Sequence, residues 1–311
     1  MSGTGGTRAV VAALLANLGI AAAKFVAAAV TGSTAMVAEG VHSLADSGNQ
    51  VLLLVGGRRA RRAPDDEHPF GYGRSRYVYA FVVSIVLFSL GGLFALYEGL
   101  HKVLHPEPLT SPAWAIGVLL VAIVLESVSL RTAVHEASPH RERGTSWWQF
   151  VRRAKSPELP VVLLEDTGAL IGLVFALVGV SLAALTGNGR WDGVGSFAIG
   201  GLLVVIAVFL ALEMNSLLIG EAATPGDVAA IRAALEAGDD VERVIHLRTL
   251  HIGPDEVLVG AKIAVAHDDS AATVARAIDA AEQRVRAAVP TARVIYLEPD
   301  IDRSGIGVSE P

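Results

Sequence analysis

Six stretches of this 311-residue chain are each apolar over roughly 20 residues, the length an α-helix needs to cross a bilayer. They run over about 8–31, 34–57, 77–101, 112–134, 159–186 and 192–219. Such a pattern leaves one economical reading, a domain of six transmembrane helices. Composition agrees: 52% of residues are hydrophobic and 18% charged, against ~25% charged in soluble domains. Glycine and alanine are plentiful in the spans, which lets helix backbones approach closely. The first apolar run has no small-residue cleavage site after it and reads as a span that stays.

The apolar character stops near residue 220. Residues 1–220 form the expected membrane domain, and residues 221–311 a separate soluble one. The latter carries 16 acidic and 9 basic residues, so the formal net charge of −6 sits there. No basic stripe is present, which argues against nucleic acid as a partner. The absence of cysteine excludes disulfides, thiolate metal sites and cysteine nucleophiles. The tail is expected to fold as a helix over Asp227–Glu236, strands over Val244–Leu250 and Val257–Val265, a helix over Ala271–Val289 and a strand over Val294–Leu297. The turn Gly253-Pro254-Asp255 and the stop at Pro290 punctuate that order. An αββαβ order suits a small two-layer α+β domain.

Arginine sets the orientation. The connection after span 2 holds Arg58, Arg59, Arg61, Arg62, Arg74 and Arg76; the one after span 4 holds Arg131, Arg141, Arg143, Arg152, Arg153 and Lys155. The alternate connections have no positive charge at 31–34, Lys102 after span 3 and Arg190 after span 5. Positive loops stay in the cytoplasm. Both termini and the acidic tail are therefore expected there, with the cell membrane as the host bilayer.

Span 2 is apolar yet carries Glu39, His42, Asp46 and Asn49. Spacings of three, four and three place them on one helix face. Ionisable groups at membrane depth are costly unless they face a partner or a water-filled path, so they mark an ion or substrate route. His42 and Asp46 are read as half of a divalent-metal site. Glu39 is placed as an outer ligand, proton acceptor or gate, and Asn49 as a ligand or interhelical hydrogen-bonding group. Span 5 adds Glu165 and Asp166. Neighbours on a helix point about 100° apart. One of the two is therefore expected to face the ion path and the other a second partner, with Lys24 of span 1 a candidate. Imidazole and carboxylates together suit zinc, and also cobalt, iron or manganese. All of these ligands titrate, so the same groups can alternate between a metal and protons.

Glu98 and Glu126 are read mainly as structural polar contacts. Asp65 and His68 lie in a solvated turn that has some metal-ligand character. His246, His251, His267, Glu298 and Asp300 are scattered ligand candidates in the tail. No nucleophile–base pair or cofactor motif stands out, so an enzyme is not expected.

Taken together, six spans, the His-x-x-x-Asp of span 2, a carboxylate in span 5, the run from Asp65 to Arg74 and the αββαβ tail resemble the cation diffusion facilitator family of metal transporters. His42–Gln50 and the run Leu163–Thr167 look most like its mitochondrial-type zinc branch. The resemblance implies a homodimer that exports zinc or a similar dication in exchange for protons. It also implies a transport site of two ligands from span 2, His42 and Asp46, and two from span 5. Of the latter pair, one maps to Asp166 and the other falls on Val162. A fourth ligand then comes from Glu165, Glu39, Asn49 or water. The family's loop site maps to Asp65, His68 and Tyr72 and is incomplete. The rival reading is a membrane-anchored regulatory or scaffold protein with a degenerate metal site.

Overall fold

A computed structural model of the chain describes residues 3–31, 34–106, 111–141 and 144–301, with the side chains of 3–6, 27–28, 30–31, 34–42 and 45 excepted. The chain divides into two compact units: residues 1–62 with 75–218, and residues 63–74 with 219–311.

The first unit is helical. Its elements are α1 (Gly3–Thr31), α2 (Thr34–Arg59), α3 (Ser75–Val86), α4 (Phe94–Leu104), α5 (Pro112–Ala137), the short α6 (Trp147–Arg153), α7 (Glu158–Thr186) and α8 (Arg190–Ile219). Among the described residues, five helical stretches are long and apolar enough to cross a membrane: Thr7–Val26, Ser75–Leu104, Pro112–His140, Glu158–Thr186 and Arg190–Ile219. The second of the six expected spans, α2, is a helix of 26 residues, of which 43–44 and 46–59 have described side chains.

The third expected span is one continuous rod of mixed pitch. A π-helical segment, Leu87–Leu93, joins α3 to α4 and contains Gly91 and Gly92. Such wide turns shift the faces of the flanking helices relative to each other. The unforeseen α6 begins with a capping box in which Ser146 and Gln149 satisfy each other's backbone N–H groups.

Within the unit, α1 packs on α2 and α5, and α5 packs on α7. The first turns of α7 are buried on almost every side, from Glu158 through Asp166. That half of α7 therefore sits inside the bundle rather than on its rim. Glycines bring α7 and α8 together: a Cβ at Gly179 would lie 2.9 Å from the Trp191 carbonyl.

The second unit holds α9 (Pro225–Glu236), β1 (Arg243–Gly253), β2 (Glu256–Ala264), α10 (Ala271–Ala288) and β3 (Ala292–Asp300). The order is αββαβ. Thr224 caps α9 and Ser270 caps α10, each accepting a hydrogen bond from the backbone N–H three residues on. The sheet order is β1-β2-β3, antiparallel between β1 and β2 and parallel between β2 and β3. The helical crossover through α10 permits the parallel pair. Val257, Val259, Ala261 and Ile263 alternate inward against Ile231, Leu235, Ala281 and Val285.

The segment 63–74 belongs to this unit. Gly73 lies backbone to backbone with Ile252 and Gly253 at the end of β1. Within the segment, the Tyr72 hydroxyl and the His68 backbone N–H donate to the Asp65 carboxylate at 2.6 and 2.8 Å. Asp65 thus organises a turn.

Candidate functional site

The polar groups of α1, α2, α5 and α7 meet inside the helical unit. Asn49 Nδ2 donates to Glu165 Oε1 at 3.0 Å, and Gln50 Nε2 donates to Glu165 Oε2 at 2.9 Å. Gln50 in turn accepts from Asn17 Nδ2 of α1 at 3.3 Å. Ser129 Oγ of α5 donates to Asp166 Oδ2 at 2.7 Å. Each acid of the adjacent pair therefore takes a different neighbour, as their angular offset on the helix requires. Lys24, the expected second partner, donates to Ser43 Oγ at 2.9 Å; the amides of α2 occupy the place at Glu165.

Glu126, read from the sequence mainly as a structural polar contact, is 3% exposed and lies within electrostatic range of Asp46, Asp166 and Lys24. Asp46 and Asp166 are likewise electrostatic neighbours of Glu165. Ser129 and Gln50 join the centre without having been singled out in the sequence, and Glu126 joins it from its place as a structural polar contact. The signal was available for two of them: Glu126 and Ser129 are i, i+3 on one face of an apolar helix.

Asp46 is half-buried, and Asn49, Glu165 and Asp166 are buried. Glu39 and His42 fall within α2, but their side chains lie outside the described residues. Among the described residues, no three His, Asp or Glu side chains form a group able to hold a metal.

The donor set nonetheless fits a cation. Asn49 and Gln50 both turn their side-chain nitrogens to Glu165, whose two oxygens accept from them. That fixes Asn49 Oδ1 pointing elsewhere, and this buried oxygen has no hydrogen-bond partner among the described residues. Buried acceptors are almost always satisfied, and a cation satisfies one as well as a donor does. The two amides occupy one lone pair on each Glu165 oxygen and leave others for a proton or ion.

Other acids have partners of their own. Glu158, at the start of α7, pairs with Arg76 of α3, whose Nη2 donates to Oε2 at 2.7 Å. A cavity of about 340 Å³ lies beside it, between the ends of α1, α2 and α7. Glu98 pairs with Lys102, which also meets Asp192 at 3.1 Å. In the tail, Glu298 and Asp300 share Lys262 at 2.9 and 3.3 Å. His251 is buried, with Nδ1 3.3 Å from the Gly253 carbonyl.

Long apolar helices around a buried acid–amide centre define a multi-pass membrane protein with a polar site at its heart. Residues 10–219 match the model of the cation efflux transmembrane domain, and the chain belongs to that family of metal transporters. A mitochondrial proton-coupled zinc antiporter of Xenopus laevis is 34% identical over 241 residues, 77% of this chain and 43% of that protein. The chain thus spans less than half the length of that relative. A metal tolerance protein of Arabidopsis thaliana is 30% identical over 82% of this chain and 56% of its own length. A manganese efflux system protein of Bacillus subtilis is 23% identical over 82% of both chains.

Proposed function

We propose that the chain is a proton-coupled antiporter that exports a divalent cation, zinc by preference, from the cytoplasm. The ion binds between α2 and α7, and α2 serves as the sixth span. The observation that carries this reading is the Asn49–Glu165 contact, which leaves the Asn49 oxygen buried, and unpaired among the described residues, beside a cluster of acids. His42 and Asp46 from α2 and Asp166 from α7 supply the principal ligands. Asn49, Glu165 and Glu39 supply the remainder with water. Binding needs ionised acids and a neutral imidazole, so protons arriving from the far side displace the ion. The relatives named for zinc antiport and for manganese efflux support a dication as substrate, and the imidazole favours zinc.

Both termini and the tail lie in the cytoplasm of the host in this reading, with the cell membrane as the bilayer, and the arginine-rich connections support that orientation. The tail dimerises through the sheet face that α9 and α10 leave uncovered. Leu250, Leu258 and Val294 lie in register across that face, and Tyr296 is 60% exposed on it. Membership of a transporter family disfavours a scaffold role.

The test is zinc-driven proton flux in proteoliposomes containing the full chain. Asp46→Ala and Asp166→Ala are each expected to abolish flux while the protein still elutes as a folded particle. Unchanged flux in both variants would remove the assignment.

A further inference from the structure

A second group of metal-ligand side chains lies outside the acid centre, at the C-terminal end of α4. His101 and His105 stand at i, i+4 and are both exposed. Their ring centroids are 5.1 Å apart, with planes inclined at 49°. The ring of Tyr97, one turn earlier, lies 6.2 Å from His101 at 27° and completes a column along one edge of the helix.

That separation matches a chelate. Two imidazoles holding one zinc at about 2.0–2.1 Å and a tetrahedral angle have centroids roughly 5.2 Å apart. Two electrostatic features also suit a cation. The last carbonyls of α4 present the negative end of the helix dipole. Lys102, the nearby positive charge, is engaged by Glu98 at 3.7 Å and Asp192 at 3.1 Å.

We propose that His101 and His105 chelate one transition-metal dication of the zinc, copper or nickel type. Among the described residues no third His, Asp or Glu joins them, so water completes the coordination. Imidazole nitrogen selects these ions over magnesium or calcium. The pair lies at the far end of the span that begins at Ser75, next to Arg74, and so opposite the arginine-rich connections. If α2 and α7 carry an exported ion, this is the release face, and the pair is an acceptor at the exit. The role at the exit rests on the proposed function; the chelate itself does not.

The test is histidine footprinting with diethylpyrocarbonate on the full chain in lipid nanodiscs, read by peptide mass spectrometry, with zinc alone as the probe. At zinc tenfold above the dissociation constant, modification of both His101 and His105 is expected to slow roughly tenfold. In His101→Ala, His105 is expected to lose that protection, and the reverse in His105→Ala, because a chelate needs both rings. Magnesium is expected to protect neither. The double variant Asp46→Ala, Asp166→Ala is expected to retain protection although its transport fails, which separates this site from the α2–α7 reading. Absence of protection by zinc, equal protection of the surviving ring in the single variants, protection by magnesium, or loss of protection in the double variant would overturn the proposal.

Discussion

Asn49 Nδ2 and Glu165 Oε1 meet at 3.0 Å although 116 residues separate them in the chain. The contact ties α2 to α7 at the depth where both helices carry their acids. With the Gln50 bond beside it, it holds the Glu165 carboxylate in one orientation and sets the direction in which the Asn49 oxygen points.

Glu165→Gln should therefore destabilise the fold. A glutamine offers one oxygen and one NH2 where two amide donors now converge, so Asn49 must either face it donor to donor or turn its amide over and leave its own NH2 buried without the carboxyl. Leaving a buried donor unsatisfied costs about 1–3 kcal/mol. Thermal unfolding in detergent is expected to show a lowered midpoint. An unchanged midpoint would mean that the amides do not converge on this carboxylate in solution.

Arg76 and Glu158 form a nearly buried bidentate pair, with side chains 12% and 9% exposed. Removing one partner strands a charge, and such losses run to about 3–5 kcal/mol. Arg76→Ala and Glu158→Ala are each expected to lower the unfolding midpoint strongly. The double variant should lose clearly less than the sum of the two, because it leaves no unpaired charge. Additive losses would sink this account.

Gly73→Val is expected to release the 63–74 segment. A Cβ there would lie 2.8 Å from the Ile252 carbonyl oxygen and 3.0 Å from Gly253 Cα, both backbone atoms at the end of β1. Neither can swing aside as a side chain would. Limited proteolysis should cut the variant between residues 63 and 74 much faster than the wild type, with the helical spans still resistant.

The Asp65 turn should depend on pH. The Tyr72 hydroxyl, and then the His68 backbone N–H, hold the Asp65 carboxyl below the usual carboxylate range. A carboxyl whose folded value is depressed contributes fully above its unfolded value. It loses that contribution as pH falls through the folded one. Amide exchange in the 63–74 segment, corrected for intrinsic rate, should be protected near neutrality and lose protection below about pH 4. Asp65→Asn should remove most of that dependence; an identical profile in the variant would contradict it.

Much of this architecture was legible in the order of residues. The apolar runs located the long helices, since bilayer thickness sets their length. The tail's αββαβ order was readable from period-two alternation around Gly253-Pro254-Asp255 and from Pro290, which bars a helix from continuing. The stripe through Asp46 and Asn49 was visible because helical periodicity is local. The π-helical segment at Leu87–Leu93 was not, because an apolar run carries no mark of its pitch.

The chain alone determined that charged and amide groups fall within the long helices and which helices carry them. Only the tertiary structure decided their partners: Glu165 with the amides of α2, Asp166 with Ser129, and Glu126 drawn in beside them. It also decided that the segment 63–74 packs with the tail at Gly73 and Gly253. The reason is the same in each case. A helix's own repeat dictates which side chains share a face, whereas the group opposite that face depends on which helix packs there and at what rotation, and those are settled by contacts among residues far apart in the chain.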